Sequence, residues 1–537
     1  MVPRSPWWCA GNSMSMDVEC PHIFFRSHRG TPYVFDPSSG AIVRLKPSHG
    51  DGSQQFLSET ESVPDSHVRS LVNAGYLRSS LPPIKTPIEG IEVEGSKLSI
   101  SQFADQYRRK ISLEVTQKCN LRCEYCCYGD CYPQARSYGG KTMSFSVARM
   151  VIDDTLSKKC EGVSIGFYGG EPLLEFHLIN KIVEYANEKA SAKGIDISYT
   201  ISTNGTLLTD DIIHFFVAHN VSVSISIDGP RETHDRNRVF KNSNNLRGSY
   251  GSFEVVQQKI HRFIDLYPLY SKRGLLVTIT AETDLRECDQ FFAQYAGTFG
   301  SIMVNYVRPT FFGSHKHEHF CVRTYNNEIC SSDCMAYPKF DAWDQKVEMA
   351  HDLCMTDFFQ ELIVNSSCQK KHPLLFSLLI QKLKDIHTRS LIRDKMPIRC
   401  VPGAFALFCS ADGSYYPCEK VSHYDPFCIG NVWDGFDANR AEQLFRNLYC
   451  AGKCDPCPAL RVCGLCLMTF QDYQSVNSEG LFIFPESVCK MSVQNLEKNL
   501  ITYTSIMEEK PQIFFELDSN PDDEVKWLKS LRLILRD

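Results

Sequence analysis

The chain has 537 residues, 43% of them apolar and 22% charged, with a formal net charge of -6; that length exceeds one compact core and implies about three domains. The weak, spread charge argues against a nucleic-acid groove. No apolar run reaches the length of a membrane span and the stretch Met1–Trp8 lacks an apolar signal core, so a cytoplasmic protein with no nucleic-acid or membrane partner is expected. In a reducing compartment, 24 cysteines point to metal rather than disulfides.

Residues 20–82 read as a small unit of their own. Strands are expected at His22–Ser27 and Tyr33–Asp36 around an Arg29-Gly30 turn, then at Ala41–Leu45, followed by a helix over Asp65–Ala74 stopped by Gly75. Residues 83–110 open on a proline-rich stretch that runs from Pro82 to Gly95, and read as a linker.

From 111 to 309 strands and helices alternate. Strands are expected at Ile111–Val115, Val163–Tyr168, Ile195–Ser202, Val221–Ile227, Leu275–Ala281 and Ser301–Val307, with helices such as Glu175–Ala190 between them. This alternation predicts a parallel sheet with right-handed crossovers and ligands at the C-terminal strand ends. The first strand runs straight into Cys119, Cys123 and Cys126. Three thiolates on one loop can ligate three irons of a four-iron cubane and leave the fourth iron open. A zinc site completed by Cys127 or Cys131 is the competing reading. The second strand ends at Gly169-Gly170-Glu171-Pro172, where the glycines admit close backbone approach and the carboxylate can take an ammonium group. Ser202, Thr203 and Asn204 follow the third strand, and Ser226 and Asp228 the fourth; Asn204-Gly205 and Asp228-Gly229 are also good turn pairs.

Residues 310–396 break the alternation with scattered histidines and cysteines and two helical stretches, 341–363 and 373–390. They are expected to form a helical insertion that packs on the barrel and shapes a substrate channel. Residues 397–490 hold a second cysteine field: Cys400, a strand over Phe405–Cys409, an Asp412-Gly413 hairpin turn leading to Cys418, then Cys454, Cys457, Cys463, Cys466 and Cys489. Such a set can hold two clusters, and a zinc ribbon competes with that reading. Residues 491–537 read as a helical tail.

The Cys119–Cys126 loop followed by Gly169-Gly170-Glu171-Pro172 resembles the radical S-adenosylmethionine (SAM) enzymes. The resemblance implies an α/β fold with a partial (β/α)6 barrel and a 4Fe–4S cluster on Cys119, Cys123 and Cys126 whose open iron chelates SAM. It also implies contacts to SAM from Tyr125, Tyr168, Gly169, Gly170, Glu171, Ser202, Asn204, Ser226, Asp228 and Arg238. The N-terminal unit resembles the winged-helix leader-recognition domain of peptide-modifying enzymes, which takes an extended peptide as an added strand.

Cys400 to Cys489 resembles the SPASM extension of that family, although two residues separate Cys463 from Cys466 where three are usual. Its implied ligands are Cys400, Cys409, Cys418 and Cys466 for one auxiliary cluster and Cys454, Cys457, Cys463 and Cys489 for another, giving three 4Fe–4S clusters in all. Taken together, the chain is similar to maturases of ribosomally made cysteine-rich peptides, of the thioether-forming sactipeptide or ranthipeptide type. That likeness implies a precursor peptide of leader plus core, a flavodoxin or ferredoxin electron donor, and Glu419, beside Cys418, as a candidate base. Carbon–carbon or carbon–oxygen cross-linking is the alternative, and below it an anaerobic sulfatase-maturating enzyme that makes formylglycine.

Overall fold

The computed structural model describes residues 22–45, 91–306, 340–448, 457–467 and 486–513, with short breaks inside these spans. Strands β1 (Ile23–Arg26), β2 (Pro32–Asp36) and β3 (Ala41–Arg44) form an antiparallel meander in that order. Gly30 makes the first turn with φ +80°, a region glycine enters without strain. The helix expected over Asp65–Ala74 lies outside the described residues.

The stretch expected as a linker is structured over its second half. A hairpin of β4 (Ile91–Val93) and β5 (Ser96–Leu98) leads into helix α1 (Ile100–Tyr107). The prolines all lie upstream of it. Ser99 and Gln102 form a reciprocal capping box, and Ile100, Phe103 and Ala104 bury one face, so local capping and spacing start a helix here.

The expected alternation follows as β6 (Lys110–Thr116), α2 (Phe145–Ser157), β7 (Gly162–Gly169), α3 (Phe176–Lys193), β8 (Asp196–Thr203), α4 (Asp210–Ala218) and β9 (Ser222–Ser226). It continues with α5 (Arg231–Asn237), α6 (Phe253–Leu266), β10 (Arg273–Ile279), α7 (Leu285–Ala293) and β11 (Ser301–Tyr306). All six strands are parallel and lie in chain order. One face carries the apolar rows, such as Leu113, Phe167 and Ile201, buried beneath the helices. The other carries small polar rows: Ser112, Gly166, Thr200 and Ser222, then Ser202, Ser224, Gly274 and Ser301. A Cβ at Gly166 would stand 3.1 Å from Thr200 Oγ1 and 3.2 Å from Ser112 Oγ, so this face is closely fitted as well as polar.

Helices α8 (Phe340–Val364) and α9 (Pro373–Ser390) pack beside β11 and α7, with Gln381 Nε2 donating to the Val304 carbonyl at 3.1 Å. The sheet then gains two strands from the second cysteine field. β12 (Ala406–Cys409) pairs in parallel with β6, and β13 (Tyr415–Tyr416) pairs antiparallel with β12, giving eight strands in one sheet. A small hairpin, β14 (Gly430–Asn431) with β15 (Gly435–Phe436), and helices α10 (Ala438–Leu448) and α11 (Glu486–Glu509) complete the described chain. α11 docks the N-terminal meander: the His28 amide donates to Ser505 Oγ at 3.0 Å and the Tyr33 hydroxyl to Glu508 at 2.9 Å. Among the described residues, no helix is long and apolar enough to cross a membrane.

Arg108, at the junction of α1 and β6, ties the parallel strands to the C-terminal module. It is buried, its Nε donates to the Gly403 carbonyl at 2.8 Å, and its guanidinium lies 4.6 Å from the Phe436 ring centroid. The other two nitrogens find no hydrogen bond, Asp154 being 3.8 Å away, and burial pulls the pKa down. A buried charge so poorly matched adds little net stability, whereas the stem packs. Urea denaturation is expected to place Arg108→Met within about 1 kcal/mol of wild type and Arg108→Ala roughly 3 kcal/mol below it. A loss in the methionine variant as large as in the alanine variant would make the charge the stabilising part.

Candidate active site

The loop that carries Cys119, Cys123 and Cys126 leaves the C-terminal end of β6 and is seated by backbone contact. Gly169 (φ +144°) and Gly170 lie beneath it: a Cβ on either would stand 2.2 Å from the Thr116 or the Lys118 carbonyl oxygen. The Gly170 amide donates to Thr116 O and the Glu171 amide to Lys118 O, both at 2.9 Å. On its far side the loop runs beside residues 237–241, with Arg122 N donating to Val239 O at 2.8 Å and Glu124 N to Asn237 O at 3.0 Å.

Two buried networks flank the loop. On the β8 side, Glu171 is fully buried and its carboxylate accepts from Thr203 Oγ1 at 2.6 Å, Asn204 N at 2.7 Å and Leu173 N at 3.0 Å. Burial raises its pKa against those three bonds. The fold itself thus uses both oxygens, Oε1 twice and Oε2 once. Asn204 Nδ2 donates to Asn120 at 2.9 Å and lies 3.9 Å from Cys119 Sγ, while its Oδ1 accepts from the amide and hydroxyl of Thr206.

On the β9 side, Asp228 is fully buried. It takes Arg238 through two bonds, 3.0 and 3.1 Å, and the Thr278 amide at 3.0 Å, with the Tyr125 hydroxyl also donating to it. Arg238, expected to face a carboxylate of SAM, is thus paired with a carboxylate of the protein and stands beside Cys123. Behind it, His234 Nδ1 accepts from the Asp228 amide at 3.3 Å and Nε2 meets Ser252 Oγ at 2.9 Å, whose hydroxyl donates to Arg238 O.

Of the remaining expected contacts, Tyr168, Ser202 and Ser226 lie on the small polar face of the sheet, Tyr168 edge-on to Phe408 at 6.1 Å. Two residues absent from the sequence reading also stand out. Glu114, fully buried on that face, accepts from Tyr128 at 2.6 Å and the Ala411 amide at 2.9 Å, and meets His423 Nε2 at 2.9 Å. His423 holds φ +66°, an uncommon backbone state for a residue with a side chain. Glu114 is the one charge in the apolar run Ile111–Thr116, which was its only signal. The second is Tyr138, whose buried hydroxyl makes no well-formed hydrogen bond and stands among the thiols Cys126, Cys123 and Cys119; nothing in its sequence context marked it.

The second field is described in part. Cys400 is exposed, Cys418 and Cys457 are half-buried and Cys463 is buried, while Cys454 and Cys466 lie outside the described residues and Cys489 falls within α11. Cys409 shares the helix-covered face with Leu113, fully buried, its thiol donating to Ser410 O at 3.5 Å. Burial, with Asp412 and Glu114 behind it, pushes that thiol well up, so here it packs as a small apolar side chain. Glu419 opens a short 3-10 turn directly after Cys418.

Burial pushes the Cys119 thiol to about 11 and the Cys123 thiol to about 12, while Arg122 and Arg238 pull the other way. Three thiols on one loop, with guanidinium groups beside them and a poorly partnered hydroxyl among them, fit a site completed by a bound iron–sulfur cluster.

Residues 113–268 match the radical SAM superfamily. An uncharacterised protein of Methanocaldococcus jannaschii is 38% identical over 147 residues, 26% of this chain and 48% of its own length. A cysteine-type anaerobic sulfatase-maturating enzyme of Clostridium novyi is 28% identical over 177 residues, 30% of this chain and 46% of its own. The radical SAM cyclopropyl synthase TigE of Paramaledivibacter caminithermalis is 28% identical over 260 residues, 46% and 53%. The chain therefore spans about half the length of the curated relatives it matches. The solved structure of anSMEcpe with bound AdoMet shares the α/β fold, with a TM-score of 0.53 and 19% identity over 73% of this chain and 98% of that one.

A pH prediction follows from His234, whose pKa burial lowers to about 3. The folded value lies below the unfolded value of about 6.5, so the folded state binds fewer protons between the two and stability falls as pH drops through that window. At roughly 1.4 kcal/mol per pH unit, wild type should lose about 2 kcal/mol between pH 6.5 and 5 that His234→Gln does not. Denaturant midpoints at the two pH values check this, and parallel losses in both proteins would refute it.

Proposed function

We propose that this chain is a peptide-modifying radical SAM enzyme that forms an intramolecular cross-link, a cysteine thioether first, in a ribosomally made precursor. The observation that carries this reading is a three-thiol loop seated at the C-terminal end of a parallel strand, above a sheet face of serine, threonine and glycine. In this reading Cys119, Cys123 and Cys126 hold a 4Fe–4S cluster that, when bound, supplies the electron that cleaves SAM to a 5′-deoxyadenosyl radical. Asn204 and Asp228 orient the loop, and Ser202 and Ser226 offer hydroxyls to the nucleoside. The remaining work is positional, holding one carbon–hydrogen bond near the radical and keeping water away.

The N-terminal meander would take the leader as an added strand, the second cysteine field would hold auxiliary clusters, and a flavodoxin or ferredoxin would deliver electrons. Glu419 is the proposed base for the substrate thiol. Formylglycine formation is the second reading, favoured by the identity to a sulfatase-maturating enzyme.

The anaerobically reconstituted, reduced protein is expected to convert SAM to 5′-deoxyadenosine, and Cys119→Ala to make none. Given a cysteine-rich peptide encoded beside its gene, it should produce a mass loss of two hydrogens per link. Conversion of one cysteine thiol to an aldehyde would instead establish the second reading. Absence of 5′-deoxyadenosine from a fully loaded protein would end both.

A further inference from the structure

We infer that the Tyr138 hydroxyl donates a hydrogen bond to a sulfur of the cluster on Cys119, Cys123 and Cys126, and so raises its reduction potential. The inference rests on reading that loop as a cluster site.

The hydroxyl is buried and makes no well-formed hydrogen bond in the protein alone, its approach being to the Cys126 thiol, a weak acceptor; a buried hydroxyl so poorly matched costs about 1–3 kcal/mol unless something else accepts. Its surroundings name the acceptor, for the ionisable groups that act on it most are the three thiols, Cys126 first. A cluster brings thiolate and sulfide sulfurs to that place.

The ring is also held. Arg122 stacks its guanidinium 3.9 Å from one face while its Nη1 donates to the carbonyls of Cys119 at 2.9 Å and Leu121 at 2.7 Å. Tyr128 stacks nearby, ring centres 6.2 Å apart and planes 28° from parallel, with its own hydroxyl committed to Glu114. The backbone after Tyr138 is pressed on the loop, since a Cβ at Gly139 would stand 2.0 Å from Gln117 Oε1. An aromatic ring so clamped has little freedom to turn its hydroxyl toward water.

Hydrogen bonds to cluster sulfurs are one of the levers that set cluster potentials. A donor stabilises the reduced, more negative state over the oxidised one. Tyr138 is therefore a positioning and tuning residue for electron entry and makes no covalent step of its own.

The test uses the full chain, reconstituted anaerobically, with iron and sulfide counted. The cluster signal that shifts on adding SAM identifies the radical-site cluster in a redox titration followed by electron paramagnetic resonance. Tyr138→Phe should move its midpoint to a more negative potential at unchanged iron content, and Tyr128→Phe should leave it in place. In wild type without SAM, pulsed measurements in H2O and D2O should show an exchangeable proton coupled to this cluster that Tyr138→Phe lacks. An unmoved midpoint, an equal shift in both variants, or a coupling that survives in Tyr138→Phe overturns the inference. If the phenylalanine variant takes up no iron, Tyr138→His decides: a donor at that place should keep the coupling, and its loss there also overturns it. A wild type with no SAM-sensitive cluster would mean instead that the cluster reading has failed.

Discussion

The seat of the cysteine loop is a contact between two backbones, and the rest of the site is arranged around it. The carbonyls of Thr116 and Lys118 occupy the space that side chains at 169 and 170 would need, so the chain must place two glycines in succession at the end of β7. No apolar packing could do this work, because a ligand-binding loop at a strand end has to stay polar. Steric contact sets its depth, and buried hydrogen bonds from Asn204 on one side and the Asp228 group on the other set its tilt. The glycines are thus explained by the loop that lies on them before any ligand is considered.

Around the cysteine loop, the fully buried carboxylates Glu171, Asp228 and Glu114 divide the task of joining elements. Glu171 ties β7 to β8, Asp228 ties β9 to β10 and to the cysteine loop, and Glu114 ties β6 to Tyr128 and to Ala411 and His423 of the C-terminal module. A buried ion without partners costs several kcal/mol, and a well-partnered one gains little over an apolar pair. Their contribution is accordingly geometric: each can be buried only if the elements on both sides meet in one register. This extends to His423, which holds a left-handed backbone where its imidazole meets Glu114.

How much of this was legible follows from the range of the interaction that decides each feature. The six parallel strands announce themselves through short apolar runs between helical stretches, and the three cysteines through local spacing. Local patterns also place Asn204 and Asp228 at strand ends. What could not be read is decided across the fold. Glu171 carries no mark that both oxygens are taken by β8, and Arg238 none that its partner is Asp228. Cys409 entered the expected ligand set through the family resemblance, while strand alternation turns it to the helix-covered face beside Leu113. The helix at Ile100–Tyr107 was hidden by the prolines before it, although its capping box and apolar spacing were both present.

The pairing of β12 with β6 bears on how such a chain comes into being. The first parallel strand is made early, yet its outer edge finds a partner only after almost 300 more residues, a separation of 409 less 113 at the last paired position. Until then a row of amides and carbonyls lies open on a nascent sheet, the kind of surface that recruits other chains. During synthesis the parallel strands and the second cysteine field are therefore not independent bodies: the same hairpin that precedes Cys418 is the last plank of the sheet beneath Cys119.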